Sequence, residues 1–498
     1  MERILYPPKA YPERANSPLH TSPGRSPGIG QPETRGLKAR PKELLTYPLI
    51  RSIQNPVRRL TYPSPTRIIK TRTHPEGAPK PMSRAETLTP ESGTFWHLAA
   101  QPVRRNALLA ASLGWMLDSM DVMLYSMVIP AAEKDLHMSA GIAGGIMSLT
   151  LISAAAGGIF FGFVADRLGR TRALSLSILI YCVCTGLCAF VHTIPELAAC
   201  RLLLGLGMGG EWAAGAALVA ETWPQQHRAK ALGIVQSSWA IGYALAALVV
   251  ALVMPHFGWR AVFLVGMLPA LITVWIRRKV REPEAWTRQT TQPSSFRQLF
   301  RQPLGRPMLL ITTMNAASLF AWWGLFAWVP AFLSLPISQG GHGLDIVHTA
   351  RWAILMQTGS FLGYVSFGFL ADRFGRKRIY ILYLLIAACT VPFYALATSS
   401  TTLLLLGPII GFWGSGYFSG FSVIASEAFP TTLRGRALGF SYNLGRIVSA
   451  AAPFTIGRLS ETHGMGSALV ITSAGFALAA LTASSLREVS SPHPVLSS

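Results

Sequence analysis

The chain has 498 residues, of which 50% are hydrophobic and only 13% are charged. A soluble globular chain carries roughly 25% charged residues, so this composition excludes an ordinary soluble enzyme. The net charge of +22 does not indicate nucleic-acid binding, because the excess lies in residues 1–81 and in short loops between apolar blocks. Those blocks are about twenty residues long, which suits helices that cross ~30 Å of hydrocarbon and excludes an outer-membrane β-barrel.

The N-terminal region, residues 1–104, is basic and rich in proline. Residues 1–81 contain 15 of the 34 prolines, together with 15 Lys/Arg and 5 Asp/Glu. The prolines forbid the amphipathic helix of a mitochondrial transit peptide, so this composition predicts disorder. An alternative is that translation starts at Met82, because the sequence that follows it is an ordinary polar N-terminus.

Twelve apolar blocks follow, each of a length that predicts a transmembrane helix. Their approximate spans are 107–132, 142–165, 173–192, 197–220, 231–254, 260–276, 309–335, 349–371, 379–398, 402–426, 437–457 and 465–486. A long break divides them six and six. We call residues 105–276 the first half and residues 309–487 the second half. Residues 277–308 form a predicted cytoplasmic linker, and residues 488–498 a C-terminal tail.

The distribution of basic residues predicts the orientation in the membrane. If the N-terminus lies inside, the inner loops and the linker contain nineteen Lys/Arg and the outer loops only four. Since cytoplasmic loops carry the excess of Lys/Arg, we expect both termini in the cytoplasm. The corresponding location is the plasma membrane, or the inner membrane of a bacterium.

The two halves repeat each other. GFVADRLGRTR at 162–172 returns as GFLADRFGRKR at 368–378, an offset of 206 residues. Further residues recur at the same offset, namely Glu221 and Arg228 in the first half and Glu427 and Arg434 in the second. Parallel halves of this kind indicate a transporter whose site lies at the membrane midplane, between them.

The G-F-x-A-D-R-x-G-R-x-R loop resembles the loop motif of the major facilitator superfamily. The segments GWMLDSMDVMLYSMVIP, CRLLLGLGMGGEWAAGAALVAETWP and REPEAW resemble the metabolite:proton symporters, in their sialate, lactate and aromatic-acid branches. The resemblance implies an all-α fold of twelve transmembrane helices in two six-helix halves. It also implies that the repeated loops are a gate; the alternative is a static topology signal. The implied gate residues are Gly162, Asp166, Arg167, Gly169, Arg170, Glu221 and Arg228, and in the second half Gly368, Asp372, Arg373, Gly375, Arg376, Glu427 and Arg434.

Buried charges in the first half are candidates for proton coupling. Asp118 and Asp121 lie in the middle of the first block, on one helix face. Two carboxylates this close repel each other, so at least one is suited to bind and release a proton. The resemblance implies that Arg201 pairs with the helix-1 aspartate, although an arginine there could instead snorkel to the interface. Glu211 lies about 15 Å deeper than Arg201. At that depth it is expected to bind a proton or the substrate; the alternative is a structural contact between helices.

Arg446 is the candidate for substrate recognition. It lies about ten residues into the eleventh block, and the offset of 206 places Ala240 at its counterpart. A guanidinium at that depth needs an anion, which is either a substrate carboxylate or a protein carboxylate. Four further residues are expected in the substrate pocket. These are Tyr125, Asn315, Gln357 and Tyr417.

These features predict a proton-coupled symporter of a small organic anion, either a mono- or aromatic carboxylate or a sugar acid. The alternatives are a drug/proton antiporter and a sugar or polyol:proton symporter of the same fold. We expect a monomer in the lipid bilayer, with no cofactor, no metal and no nucleic-acid partner. The five cysteines form no zinc spacing and are interpreted as small core residues. They are Cys182, Cys184, Cys188, Cys200 and Cys389.

Overall fold

The computed structural model describes residues 94–280, 299–300 and 303–486. The predicted disorder of the N-terminal region up to residue 93 lies outside this part of the chain, as do Met82, most of the linker and the whole C-terminal tail. Within the described ranges every regular element is a helix, so the all-α prediction is confirmed.

Seven helices lie within residues 95–279, and they are numbered from the N-terminal side. They are α1 (Phe95–Ala100), α2 (Pro102–Leu136), α3 (Ala140–Leu168), α4 (Arg170–Leu187), α5 (Ile194–Thr222), α6 (Gln225–Gly266) and α7 (Ile272–Lys279). Short 3-10 turns at Cys188–Phe190 and Leu268–Leu271 join them. Gly258, with φ 74°, breaks α6. The long stretch therefore covers two predicted blocks.

The second half has nine helices among the residues described. They are α8 (Gly305–Phe326), α9 (Val329–Ser334), α10 (Ile346–Phe374), α11 (Arg376–Ala395), α12 (Ser400–Gly416), α13 (Phe418–Glu427), α14 (Thr431–Ser449), α15 (Ala451–His463) and α16 (Met465–Ser484). In the described part of the chain, ten helical stretches are long and apolar enough to cross a membrane. The eleventh predicted block is divided between α14 and α15, and the count of twelve stays a prediction.

The repeated loops are built in the same way in both halves. Gly169 (φ 101°) joins α3 to α4, and Gly375 (φ 96°) joins α10 to α11. A residue with a Cβ rarely adopts this region, so glycine allows the chain to reverse within a single residue. The motif therefore serves the same tight connection twice.

The two halves pack closely at the predicted outer end. The Glu461 carboxylate of α15 accepts a hydrogen bond from the Gly141 N–H of α3 over 2.8 Å, and the Phe454 N–H donates to Ser148 Oγ over 3.3 Å. A Cβ on Gly144 would lie 2.7 Å from the carbonyl carbon of Pro453. The glycine therefore lets the backbones of α3 and α15 touch, and this end of the seam is closed.

Four glycines near the repeated loops of the predicted inner end face open space. An added Cβ on Gly162, Gly233, Gly368 or Gly439 would have no other described atom within 4 Å. All four glycines lie near the repeated loops and obey the offset of 206 residues as two pairs. The halves are therefore in contact at the outer end, and these four positions near the gate motifs are not packed against other described residues.

Candidate functional site

A narrow cavity lies at the seam between the halves. Residues of both halves line it, namely Trp115, Gln236, Trp239, Leu319, Trp322, Trp323, Tyr364, Phe418, Tyr442 and Arg446. Its volume is about 20 Å³, which is room for about one water molecule. The Tyr364 hydroxyl lies within hydrogen-bonding reach of Gln236 across the seam. The walls must therefore part to admit an organic molecule.

Aromatic rings form most of this wall. Trp239 of α6 meets Trp322 and Trp323 of α8 edge to face, with ring centroids 5.7 and 6.1 Å apart. Trp115 of α2 lies against Trp239 at 4.8 Å. Rings from the two halves thus meet in one cluster, which offers flat apolar surfaces to a flat ligand.

Two buried hydrogen-bond donors in this cluster lack acceptors among the described residues. The indole N–H groups of Trp115 and Trp239 are buried, and neither has a partner in the described part of the chain. The Arg446 guanidinium lies 5.0 Å from the Tyr442 ring centroid and donates to the Tyr442 hydroxyl over 3.3 Å. Since a buried donor without an acceptor is costly, the cavity is chemically matched to a ligand that brings acceptor oxygens.

Two carboxylates of the first half act on Arg446 of the second half. Asp118 and Glu211 are buried, and both interact electrostatically with the Arg446 guanidinium and with each other. Glu211 of α5 lies directly over Gly114 of α2, one turn before Asp118. Neither oxygen of Asp118 has a hydrogen-bond partner among the described residues. The guanidinium that lines the cavity thus also interacts with both carboxylates.

Asp121 and Arg201 form the second part of the charged group. Asp121 accepts a hydrogen bond from Thr185 Oγ1 through one oxygen, while its other oxygen has no partner in the described ranges. Arg201 is fully buried, so it does not snorkel to the interface. Its guanidinium lies 4.5 Å from the Tyr125 ring centroid and interacts electrostatically with both aspartates. Its nitrogens form no hydrogen bond to any described residue.

The structure brings together all four residues predicted for proton coupling. Of the five residues predicted for substrate binding, only Arg446 lines the cavity. The Tyr125 hydroxyl donates to the carbonyl of Ala143, Asn315 to that of Ser441 and Tyr417 to that of Ser318. Gln357 is buried, and its amide nitrogen has no partner within the described residues. These four lie outside the cavity wall, and their substrate role stays a prediction.

Several wall residues were not predicted as site residues. Gln236, Tyr364 and Tyr442 supply polar groups to the cavity, and Phe418 supplies a ring. Tyr442 precedes Arg446 by one helical turn, so the spacing i, i+4 was a usable signal for it. Gln236 carries no such signal, because its neighbours across the seam belong to the other half.

The gate residues pair within each half. Arg170 binds Asp166 over 2.7 Å and Glu221 over 3.1 Å. In the second half, Arg376 pairs with Glu427 at the equivalent positions. Arg228 and Arg434 donate to the carbonyls of Trp223 and Ser426, at the carboxyl ends of the preceding helices, where cations are favourable. Each half thus has its own arginine–glutamate pair beside its gate motif.

Two related helical halves with a cavity at their seam are the architecture of a membrane transporter. The family model of the Major Facilitator Superfamily matches residues 111–366 and 347–497. The chain therefore belongs to this superfamily, and the interpretation as a transporter rather than an enzyme is confirmed.

Curated relatives cover most of the chain. The cis,cis-muconate transport protein of Acinetobacter baylyi is 30% identical, over 74% of this chain and 91% of its own length. The sialic acid transporter of Escherichia coli is 30% identical, over 77% and 94%. The gentisate transporter of Corynebacterium glutamicum is 27% identical, over 78% and 89%. Each of these relatives is named as a carrier of an organic acid.

Solved structures agree on the fold. A D-xylose-proton symporter matches with a TM-score of 0.64 at 19% identity, covering 76% of this chain and 97% of that one. A bacterial homologue of the human lysosomal transporter Spinster, in an inward-facing conformation, matches with a TM-score of 0.62 at 18% identity, covering 77% and 97%. At this identity the likeness concerns the fold alone.

Proposed function

We propose that the protein is a proton-coupled symporter of a small, flat carboxylate. The observation that carries this proposal is the set of unmatched donors at the seam. Arg446 and the indole N–H groups of Trp115 and Trp239 meet at one cavity, where the two indoles lack any described acceptor. A carboxylate supplies the missing oxygens, and its bond to a guanidinium is charge-assisted.

The shape of the wall favours a conjugated or aromatic body over a sugar acid. The cavity is narrow and its rings stack or meet edge to face, so they suit a planar molecule. Muconate and gentisate, which the related proteins are named for, are both planar carboxylates. Sialic acid, named for another relative, is bulky and rich in hydroxyl groups. Among the described wall residues, the polar side chains beside Arg446 are few for such a ligand.

The charges supply a reason for coupling to protons. Asp118, Asp121 and Glu211 are three buried carboxylates, whereas Arg201 and Arg446 are two buried guanidiniums. With every group ionised the site carries one excess negative charge, and an uncompensated buried charge costs several kcal/mol. One proton restores neutrality. A bound substrate anion adds a further negative charge, so each carboxylate carried brings at least one more proton.

Competition for Arg446 links substrate binding to proton binding. In the empty site the guanidinium interacts with Asp118 and Glu211. A substrate carboxylate in the cavity draws on the same guanidinium, and these two side chains then lose part of their compensating charge. Proton binding to one of them follows because a neutral carboxylic acid needs no counterion. The loaded halves then rock about the seam.

The first half, residues 105–276, and the second, residues 309–487, are the rocking bodies, and residues 277–308 are a cytoplasmic linker. The repeated Asp166 and Asp372 loops act as the inner gate. The protein works as a monomer in the plasma membrane, which in a bacterium is the inner membrane, with both termini in the cytoplasm.

Uptake by proteoliposomes tests this proposal. We would measure proton movement with a pH dye on adding muconate, gentisate, hydroxybenzoate, lactate, sialate, glucose or a lipophilic cation. Alkalinisation outside the vesicles with a planar carboxylate is the expected result. Arg446→Gln should abolish it, whereas Arg351→Gln is the matched control, because Arg351 is an exposed arginine that does not line the cavity.

A second arm separates substrate binding from proton coupling. Asp121→Asn should stop accumulation driven by a proton gradient but retain counterflow, in which substrate inside exchanges for substrate outside without net proton movement. Arg446→Gln should lose both. Proton flux driven by the cation alone would instead indicate an antiporter, and flux with glucose would indicate a sugar symporter; either result refutes the carboxylate symporter.

A further inference from the structure

The Trp322 ring in the cavity wall is held by a hydrogen bond from its indole. The Trp322 Nε1–H donates to Ser415 Oγ of α12 over 3.1 Å, and both residues are buried. The indole N–H groups of Trp115 and Trp239, by contrast, lack acceptors in the described part of the chain. Those two rings offer donors to a ligand, whereas Trp322 contributes the position of its ring.

The Ser415 hydroxyl is itself held in place by the packing of α10 against α12. The hydroxyl of Ser360 on α10 lies 3.3 Å from Ser415 Oγ and 3.3 Å from the Met356 carbonyl oxygen. A Cβ on Gly411 of α12 would lie 3.0 Å from Ser360 Oγ and would meet the Met356 carbonyl oxygen too closely. The glycine therefore lets the two helices touch, and the acceptor of the indole bond has little freedom to move.

The hydrogen bond selects one orientation of the Trp322 ring. The ring stacks on Phe326, with centroids 5.1 Å apart and planes at 17°, and it meets Trp323 and Phe418 edge to face. The torsion about the Cβ–Cγ bond of an aromatic residue is broad. Because an indole is not symmetric, a half-turn about that bond would swing the N–H away from Ser415 and move the six-membered ring. The shape of the narrow cavity therefore depends on this bond.

We propose that Ser415 is a positioning residue that sets a preference for flat carboxylates by holding the Trp322 ring in the cavity wall. The inference rests on the proposed function and names a residue that determines its specificity. Ser415 does not line the cavity, so it acts through the indole and not by contact with the substrate. Without its hydroxyl the ring is free to turn, and the cavity no longer distinguishes a flat ring from a thicker one.

Uptake of benzoate and of cyclohexanecarboxylate by proteoliposomes tests the preference. The two acids share the carboxylate and the ring size, but the saturated ring is thicker. Wild type should favour benzoate, and Ser415→Ala should lower the ratio of the two kcat/KM values about 2- to 10-fold. The ratio does not depend on how much of the protein is folded. Ser175→Ala is the matched control and should keep the wild-type ratio, because Ser175 is a buried serine of α4 that donates to the Thr171 carbonyl over 3.0 Å.

Nuclear magnetic resonance of the indole N–H groups tests the hydrogen bond without any substrate. The protein would be labelled with ¹⁵N in the indoles of its 13 tryptophans, and the Trp322 signal would be assigned by its absence from Trp322→Phe. Because a hydrogen-bonded proton resonates downfield, Ser415→Ala should move the Trp322 proton signal upfield, whereas Ser175→Ala should not. An unmoved signal in Ser415→Ala would overturn the role of this bond.

A double-mutant cycle tests whether Ser415 acts through the indole. In a Trp322→Phe background, Ser415→Ala should lower the benzoate preference no further; a full additional loss would overturn the inference. It is also overturned if wild type shows no preference for benzoate, or if Ser415→Ala keeps the preference after losing the hydrogen bond, and in both cases the proposed function stands. If wild type carries no planar carboxylate at all, the proposed function fails and the preference with it, whereas the indole signal still reports the bond.

Discussion

A single methyl group on α3 should hold the outer end of the seam open. Gly144 faces α15, and a Cβ built there would lie 2.7 Å from the Pro453 carbonyl carbon, closer still to the Pro453 oxygen, and 3.0 Å from Trp328 Cζ2. Ordinary contact begins at 3.4 Å. Because the Pro453 atoms belong to the backbone, α3 and α15 must separate by roughly 1 Å to accept Gly144→Ala.

The magnitude follows from the cost of overpacking. Adding a methyl group to a closely packed contact costs about 1–3 kcal/mol. The cost applies only while the outer end is closed, so it changes the ratio of outer-closed to outer-open molecules by about 5- to 150-fold. Gly145→Ala is the matched control, because its Cβ would meet only Phe454 Cδ2 among the described residues, at an ordinary 3.7 Å.

Electron–electron distance measurements between spin labels on Lys134 and Ser338 would report the outer end. Both residues are exposed, one in each half, and the labels would be attached after the five native cysteines are replaced. Gly144→Ala should add a population at longer distance, and Gly145→Ala should not. If both variants give the wild-type distribution while remaining folded by gel filtration, the backbone contact at Gly144 does not control the closed state.

Three further outcomes are expected. Gly169→Ala should lower the melting temperature, because a residue with a Cβ at φ 101° costs about 1–2 kcal/mol. Gly162→Ala, whose added Cβ lies in open space, should leave the melting temperature unchanged. Equal melting temperatures for the two variants would contradict backbone strain at position 169. Trp239→Phe keeps an aromatic ring but loses the indole N–H that lacks an acceptor, so KM for the carboxylate should rise about 2- to 10-fold. An unchanged KM would show that this N–H does not bind the substrate. Hydrogen bonds from His348 and Val347 lower the pKa of the Asp345 carboxyl in the folded protein. The ionised carboxyl therefore stabilises the fold above pH ~4, and this stabilisation is lost as the pH falls through the lower folded pKa. Melting curves at acidic pH should show this loss in wild type but not in Asp345→Asn.

The helical membrane fold and its duplication could be read from the sequence. The apolar blocks are long enough to cross a bilayer as helices, which predicts membrane-spanning helices. The motifs that recur at an offset of 206 residues predict two related halves. The positions of Asp118, Asp121, Arg201 and Glu211 were also informative, because ionisable side chains in apolar helices are costly and therefore paired or functional. Each of these inferences depends on a single helix or on a comparison along the chain.

The partners of those side chains depended on the tertiary structure. Spacing along a helix determines the depth of Arg446, but not which helices face it. In the fold, Asp118 and Glu211 of the other half act on it, whereas Glu427 pairs with Arg376. The unmatched donors at Trp115 and Trp239 likewise became visible only when the seam was assembled. Local sequence patterns show which charged side chains are costly to bury, whereas only the packing between the halves determines which groups offset that free-energy cost.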